Sequence, residues 1–306
     1  MNPTADKRLF HPMLILVFGA LCISFAPIFV KWIGEARLGP TAIGFWRTLF
    51  GGLTLVLITF VRGRSLKMSS KLIGFSALAG FVFFVDLWVW HRSIVYAGAG
   101  MSTILGNTQV FATAIISHHL FKEKLGMRFI TAAVTAVLGV VMLVGILSED
   151  VAFTSRYIQG IIFGLLTAVA YAHYLTVLKW TGYKSPIPDV VAFMAWASLF
   201  SALFLGTSAV IEPGPILPPD VPSWLLLVSL GIVAQALGWW SITTSLAKIP
   251  VARAGLVLLL QPTLATLWGA IFFAERLVPL QIVGAALTLA AIYYGSLKDR
   301  IKKSGP

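Results

Sequence analysis

The chain has 306 residues, of which 58% are hydrophobic and 11% are charged, with a mean hydropathy of +0.91 and a net charge of +12. A soluble domain usually carries charge on about a quarter of its residues, so this composition excludes that class and predicts an integral membrane protein. The sequence contains no HExxH, Walker-A or GxSxG motif, which argues against common metalloproteases, ATPases and hydrolases, and its single cysteine excludes an intrachain disulfide.

Ten apolar runs along the chain are long enough to be membrane helices, since a spanning helix needs about 20 mostly apolar residues. They lie at residues 12–33, 40–61, 72–91, 100–120, 128–147, 157–179, 189–211, 223–244, 253–274 and 279–297. The runs leave only short loops, so we expect an all-α membrane protein with no soluble domain. The first run shows no obvious signal-peptide cleavage site, so we expect this helix to be retained.

The basic residues cluster in alternate loops. With the N-terminus in the cytoplasm, most Lys and Arg fall on the cytoplasmic side, including those within 62–71, 122–128 and 298–303. The positive-inside rule therefore predicts a multi-pass protein with both termini in the cytoplasm. We expect it in a cell membrane, which in a bacterium is the inner membrane. The positive charge reports topology and contact with anionic lipids of the bilayer, so no nucleic-acid partner is expected.

The first three predicted helices carry polar residues that are costly inside a membrane unless they line a cavity or pair. Pro27 can interrupt helix 1. Arg47 lies within helix 2, where it either reaches the interface as an anchor, binds an anionic group or pairs with Asp86. In helix 3, the segment DLWVWHR supplies Trp88, and it also places Asp86, Trp90 and His91 about one turn apart on one side of the helix. Asp86 is a candidate for gating or proton coupling, as are Arg47 and Pro27, while Trp88 and His91 are candidates for substrate binding.

The later helices supply further polar and aromatic side chains as candidates for substrate binding. These are Asn107 and Gln109 of helix 4, His173 of helix 6, Trp239 and Trp240 of helix 8, and Gln261 of helix 9, which precedes the possible hinge Pro262. Interhelical hydrogen bonds for the amides, interface anchoring for the Trp residues and simple packing for the His are the alternatives. We predict that Gln261 faces Asn107 and that Trp88, Trp240 and His173 shape the apolar part of the pocket.

The two halves of the chain align with each other. An offset of 152 residues superimposes Gln109 on Gln261, Glu123 on Glu275 and Trp88 on Trp240, and an offset of 148 superimposes Lys31-Trp32 on Lys179-Trp180. We interpret this as a duplication, with repeats at residues 1–150 and 151–306. Since each repeat holds five helices, an odd number, the second is expected to be inverted in the membrane, with a central cavity between the two. Glu123 and Glu275 are then expected at water-facing helix ends.

Three segments resemble a known family. FFAERLVPLQIVGAALTLAAIYYG (272–295), its weaker partner LFKEKLGMRFITAAVTAVLGVVMLVG (120–145) and GPTAIGFWR (39–47) resemble the EamA-type repeats of the drug/metabolite transporter superfamily. The Trp- and Tyr-rich helices are most similar to those of YddG-type exporters of aromatic and other hydrophobic amino acids. The halves differ where Val110 stands opposite Pro262 and where Ala195 stands opposite Arg47, so a symmetric site is not expected.

The resemblance implies export of such amino acids or related small metabolites by alternating access, in a monomer or weak homo-oligomer without cofactor or metal. Another metabolite class, such as nucleotide precursors or drugs, is the alternative within transport. A non-transporting membrane scaffold or sensor is another alternative. An intramembrane enzyme built on Asp86, His91 and His173 is the third.

Overall fold

The computed structural model describes residues 3–33, 38–144, 154–274 and 277–296, and these residues form helices and no strands. The helices are α1 (Pro3–Ser24), α2 (Ala26–Ile33), α3 (Pro40–Val61), α4 (Ser70–Asn107), α5 (Gln109–Phe121), α6 (Met127–Val144), α7 (Ser155–Lys184), α8 (Val190–Ile211), α9 (Val221–Leu230), α10 (Trp239–Leu246), α11 (Val251–Val257), α12 (Leu260–Phe273) and α13 (Pro279–Ser296). A π-helical segment, Gly231–Gly238, joins α9 to α10.

Eight helical stretches of the described residues are long and apolar enough to cross a membrane. They correspond to the predicted runs other than 100–120 and 128–147. The apolar part of α6 is shorter, at Met127–Met142, and the 100–120 run is divided between the end of α4 and α5. The prediction of an all-helical membrane protein is therefore confirmed, while several helix boundaries differ from those predicted.

Three helix interruptions fall within the predicted runs, and a fourth, at Gly98, falls between the predicted runs 72–91 and 100–120. Gly98 interrupts α4 with φ 85° and ψ 157°, a left-handed backbone that glycine adopts without steric cost. A second interruption at Thr108 separates α4 from α5. Two others precede prolines, because Pro27 is the second residue of α2 and Pro262 is the third of α12. Proline lacks an N–H and is tolerated in the first turn, so both prolines fit the start of a new helical segment.

Helices α3 and α8 pack against each other in opposite directions. Thr41, at the start of α3, donates a hydrogen bond of 2.7 Å to the Glu212 carboxylate just after α8. Arg62, just after α3, lies 3.3 Å from the Asp189 carboxylate just before α8. Each helix start therefore contacts the end of the other helix, which defines an antiparallel pair made from one helix of each half.

Two tryptophans make matching contacts across this pair. The indole N–H of Trp46 donates to the carbonyl of Ile216 at 2.8 Å, and that of Trp196 donates to the carbonyl of Leu66 at 3.0 Å. The two donors are 150 residues apart in the sequence, and so are the two acceptors. Thus a tryptophan of α3 binds the loop after α8, and the equivalent tryptophan of α8 binds the loop after α3.

Equivalent positions also share backbone geometry. Helices α5 and α12 both end at a residue in the left-handed conformation, Lys122 with φ 56° and Ala274 with φ 53°, which are 152 residues apart. In α6 and α13, the hydroxyl of Thr288 lies 3.4 Å from the carbonyl of Ala136, again at a separation of 152 residues. The offset found in the sequence therefore recurs in helix ends and in contacts.

Candidate functional site

A cavity of about 470 Å³ lies between the two halves. It adjoins three of the helix interruptions, at Ser24–Pro27, at Thr103–Asn107 and at Gln261–Pro262. Its remaining walls come from α3, α4, α7, α10 and the first turn of α13. Irregular backbone inside a membrane protein is tolerated where it lines a cavity, and these interruptions fit that rule.

Two charged side chains line this cavity and make no hydrogen bond or ion pair within the described part of the chain, although the Arg47 guanidinium lies 5.8 Å from the centre of the Phe83 ring. Arg47 is 7% exposed and Asp86 is 6% exposed. Within the described part of the chain, neither the Arg47 Nε nor the Asp86 Oδ1 has a hydrogen-bond partner, and the two groups make no ion pair with each other. Burying a charge without a partner is unfavourable, so we expect each group to bind a ligand or water in the cavity. Arg47 is also buried against the cavity instead of extending to the outer interface as an anchor.

The two amides that line the cavity bond to different partners. The Gln261 Nε2 donates to the Tyr171 hydroxyl at 3.3 Å, whereas the Asn107 Nδ2 donates to the Thr103 carbonyl at 2.6 Å. Gln261 and Asn107 therefore make no hydrogen bond to each other, although both side chains line the cavity. With its oxygen accepting from Gln261, the Tyr171 hydroxyl still has a proton to donate, and the Gln261 carbonyl oxygen still has lone pairs.

An aromatic cluster forms one wall. Trp239 is 2% exposed and packs edge to face against Phe83, Tyr171 and Tyr174, with ring centroids 4.6–5.7 Å apart. Trp90 lines the same cavity. The indole Nε1 of Trp239 is buried without a hydrogen-bond partner in the described chain. The wall thus offers large apolar faces, to which aromatic rings bind by edge-to-face or offset contacts.

Five of the predicted binding residues lie outside this cavity: Trp88, His91, Gln109, His173 and Trp240. Trp88 and Trp90 are two residues apart on α4, which is about 200° around a helix, so only one of them can face the cavity. His173 is exposed on α7, with its Nδ1 2.8 Å from the Val169 carbonyl, and Trp240 is 36% exposed. Of the residues in the enzyme alternative, only Asp86 lines the cavity.

The other two outlying residues are buried in packing contacts. The Gln109 amide is 1% exposed, donates to the Gly255 carbonyl at 2.9 Å and accepts from the Thr113 hydroxyl at 2.8 Å. His91 is buried with its Cε1 against Gly44, where a Cβ would crowd the imidazole ring, and its Nδ1 has no hydrogen-bond partner in the described chain. Gln109 and Gln261, which the 152-residue offset makes equivalent, therefore have different environments.

Two cavity residues, Trp90 and Tyr171, were not among the predicted binding residues. Trp90 follows Asp86 by four residues, a spacing that places both on one helix face. Tyr171 lies in the middle of α7, two residues before the predicted candidate His173. From the sequence, Trp90 is expected on the same side of helix 3 as Asp86 but has no predicted binding role, and the apolar sequence around Tyr171 contains no comparable signal.

A second cluster surrounds Glu212 at the end of α8. Its carboxylate accepts hydrogen bonds from Trp88, Arg92, Ser208 and Thr41 at 2.6–3.0 Å. The Arg92 guanidinium also stacks 3.3 Å from the centre of the Trp88 ring. Burial raises the pKa of Glu212, but the hydrogen bonds from Ser208, Arg92 and Thr41 and the charge of Arg92 outweigh this effect. The net pKa lies below its ordinary value.

Glu123 joins the two halves at another helix end. Its carboxylate oxygens accept from the backbone N–H groups of Val251, at 2.9 Å, and Ala252, at 3.2 Å, so it caps the start of α11. Lys179 donates at 2.7 Å and 2.8 Å to two carbonyls at the end of α10 and in the loop between α10 and α11. Glu123 therefore has a structural contact beyond the water-facing position predicted for it, and Glu275 lies outside the described residues.

These features define a multi-pass helical membrane protein with a charged and aromatic cavity between two similar halves. The EamA-like transporter family matches the sequence twice, over residues 11–145 and 158–296. The two matches span most of the chain, so this chain belongs to the EamA-like transporter family and is a membrane transporter. The predicted family and the duplication are confirmed.

Proteins from several organisms are similar to this chain. A probable amino-acid metabolite efflux pump of Salmonella typhimurium is 24% identical over 214 residues, which cover 67% of this chain and 70% of that protein. An uncharacterized transporter of Archaeoglobus fulgidus is 24% identical over 277 residues, which cover 90% of this chain and 93% of the relative. One crystal structure of another protein superposes with a TM-score of 0.81 at 17% identity, covering 94% and 96% of the two chains, and this similarity shows the fold alone.

Proposed function

We propose that this transporter exports amino acids with aromatic or other hydrophobic side chains, or closely related small metabolites, by alternating access. The observation that carries the proposal is the unpaired Arg47 and Asp86 in one aromatic-walled cavity. A free amino acid presents a carboxylate and an ammonium group next to an apolar side chain. It would supply the missing partner for both charges and cover the aromatic wall at the same time.

The neutral polar groups support the same kind of ligand. The Tyr171 hydroxyl and the Trp239 indole N–H are donors suited to a carboxylate, and the Gln261 carbonyl oxygen is an acceptor suited to an ammonium group. A cationic drug would leave Arg47 unpaired, and a nucleoside would leave both charges unpaired. The efflux of amino-acid metabolites assigned in name to the Salmonella relative is consistent with this substrate class.

Alternating access requires two units that can exchange conformations. We propose that these are two five-helix repeats, residues 1–150 and 151–306, inserted in opposite orientations with both termini in the cytoplasm. The antiparallel α3 and α8 and the matching Trp46 and Trp196 bonds support this arrangement, since inverted repeats related by a two-fold axis make reciprocal contacts. Reporter fusions after Lys67 and after Asp150 should report the cytoplasm and the outside respectively, and identical reports would contradict the topology.

Transport itself is tested with the purified protein in liposomes. We expect saturable, protein-dependent flux of labelled Phe, Trp and Leu. Phenethylamine and 3-phenylpropionate, each of which lacks one of the two charges, should move at least tenfold more slowly, because one hydrogen bond to a charged group contributes about 1.5–3 kcal/mol. A nucleoside and a cationic drug complete the panel. Preferential flux of either would favour another metabolite class, and the absence of any flux would favour the scaffold alternative.

A further inference from the structure

We propose that Asp86 carries a proton whenever the cavity is empty, so that each amino acid is exchanged for one proton. This inference rests on the proposed function of the same cavity. It adds the coupling ion and the residue that binds it, and it predicts the energy source of transport.

The contacts of Asp86 favour a neutral carboxyl group in the empty protein. An ionised carboxylate only accepts hydrogen bonds, and burying one without donors is unfavourable. Asp86 lies at the cavity wall with its Oδ1 unpartnered, whereas the Glu212 carboxylate has four donors around it. The donors around Glu212 thus favour its ionised form, whereas the Asp86 Oδ1 has no such donor.

Among the ionisable groups near the cavity, Asp86 is the one that we assign to binding and releasing the proton. Arg47 of α3 is the cation whose field reaches it, and Tyr171 and Tyr174 of α7 are the nearby hydroxyls. His91 of α4 lies outside the cavity against Gly44, with its Nδ1 also unpartnered in the described chain, and His173 of α7 is exposed outside the cavity. Helices α8, α5 and α6, which also pack against α4, carry their ionisable groups near their ends. Asp189 and Glu212 flank α8 and form ion pairs with Arg62 and Arg92. His118 and His119 lie in the last turn of α5, and Arg128 lies in the first turn of α6.

Substrate binding would break the O–H bond of Asp86. The proton leaves to the water on the side to which the cavity is open, the carboxylate pairs with the substrate ammonium group, and Arg47 pairs with the substrate carboxylate. The loaded site is then neutral, because the charges of Asp86 and Arg47 cancel and the amino acid is a zwitterion. After release on the other side, Asp86 takes a proton from there, and the empty site returns with one positive charge.

The consequence is an electrogenic exchange of one proton for one amino acid. With the membrane potential clamped to zero, a tenfold proton gradient should accumulate labelled Phe about tenfold on the acidic side. An uncoupled carrier would accumulate none, since the zwitterion has no net charge. The assay uses wild-type protein in liposomes, with a trapped pH dye to record the proton that moves against each Phe.

Three variants assign the proton to Asp86. Asp86→Asn should lower Phe exchange and abolish both accumulation and dye response, whereas Asp86→Glu should retain a response to the pH gradient. His173→Gln, at an exposed histidine outside the cavity, is the matched control and should behave as wild type. Accumulation by Asp86→Asn would show that another group carries the proton and would overturn the assignment.

The results separate this inference from the proposed function. Saturable Phe flux in wild-type protein that ignores the pH gradient and moves no proton would overturn the coupling and leave the exporter proposal standing. No flux of any amino acid would overturn both.

Discussion

Helix α4 presents two carboxylate sites on different faces, and their difference separates structure from function. Asp86 and Trp90 face the cavity, where the Asp86 Oδ1 and the Arg47 Nε have no partners. Trp88 and Arg92 face away and bond to Glu212, whose carboxylate accepts four hydrogen bonds. Each site combines an acid, an arginine and a tryptophan, two of which come from residues 86–92 of α4, but only the cavity residues Arg47 and Asp86 lack hydrogen bonds and ion pairs within the described chain.

The two sites predict opposite effects on stability when a charged side chain is removed. A satisfied acid contributes to folding, since its removal leaves donors unpaired. An unsatisfied buried charge opposes folding, so its removal should leave the protein as stable or more stable. Loss of stability without loss of selectivity is expected at Glu212, and loss of transport without loss of stability is expected at the cavity.

The largest effect is expected for Arg47→Leu. It removes the cation assigned to the substrate carboxylate, so Phe flux in liposomes should fall about 10- to 100-fold, which corresponds to the roughly 1.5–3 kcal/mol of a hydrogen bond to a charged group. The melting temperature in detergent should stay the same or rise. Normal Phe flux together with a lower melting temperature would show that Arg47 is a structural residue.

The two equivalent glutamines provide the next test. Gln261→Leu should reduce Phe flux about tenfold with unchanged yield, because it removes a polar group that faces the cavity. Gln109→Leu should instead lower the free energy of unfolding by about 1–3 kcal/mol, because it leaves the buried Gly255 carbonyl unpaired. Measuring flux and thermal melting for both variants distinguishes the two roles, and matching behaviour of the pair would contradict them.

Substitutions of the adjacent residues Trp239 and Trp240 should differ less in their effect on the affinity for Phe. Trp239→Phe removes the buried indole N–H from the cavity wall, so the apparent affinity for Phe should fall about threefold to tenfold, as expected for about 1 kcal/mol from one neutral hydrogen bond. Trp240→Phe changes an exposed side chain, and its effect should stay within about 0.5 kcal/mol. Competition binding with labelled Phe measures both, and an equal loss in the two variants would argue against the cavity as the binding site.

The smallest effect on transport is expected for Glu212→Gln, which should lower the free energy of unfolding by about 1 kcal/mol at neutral pH. Because the folded pKa of Glu212 lies below the ordinary 4.5, its contribution is complete above about pH 4.5 and disappears as the pH falls through the folded value. Wild type and variant should therefore converge in thermal melts below that range. A difference that persists unchanged there would show that the charge of Glu212 contributes nothing.

The sequence predicted the helical membrane class, the duplication and the family, because composition and repeated polar pairs do not depend on side-chain direction. It could not predict which residues line the cavity. In a helix that is apolar on all sides, no periodicity reveals the inward face, so Trp88 was selected by its match to Trp240 although Trp90 lines the cavity. The different environments of Gln109 and Gln261 show that sequence equivalence after a duplication does not preserve a shared role.

Helix interruptions also limited the prediction of boundaries. Pro27 and Pro262 indicate two of the interruptions in the sequence, because proline lacks the N–H that continues a helix. Thr108 carries no such signal, whereas Gly98 falls between the predicted runs 72–91 and 100–120. The cavity adjoins interruptions of both kinds, so its full outline required the three-dimensional arrangement.

The central claim is that Arg47 and Asp86 recognise the two charges of one zwitterion, and a single competition measurement tests it. Unlabelled Phe, phenethylamine and 3-phenylpropionate are titrated against labelled Phe bound to wild type, Arg47→Gln and Asp86→Asn. Wild type should prefer Phe, Arg47→Gln should lose most of its preference for Phe over phenethylamine, and Asp86→Asn should lose most of its preference over 3-phenylpropionate. If both variants keep the wild-type order of affinities, the two charges do not contact the substrate and the assignment of the cavity is wrong.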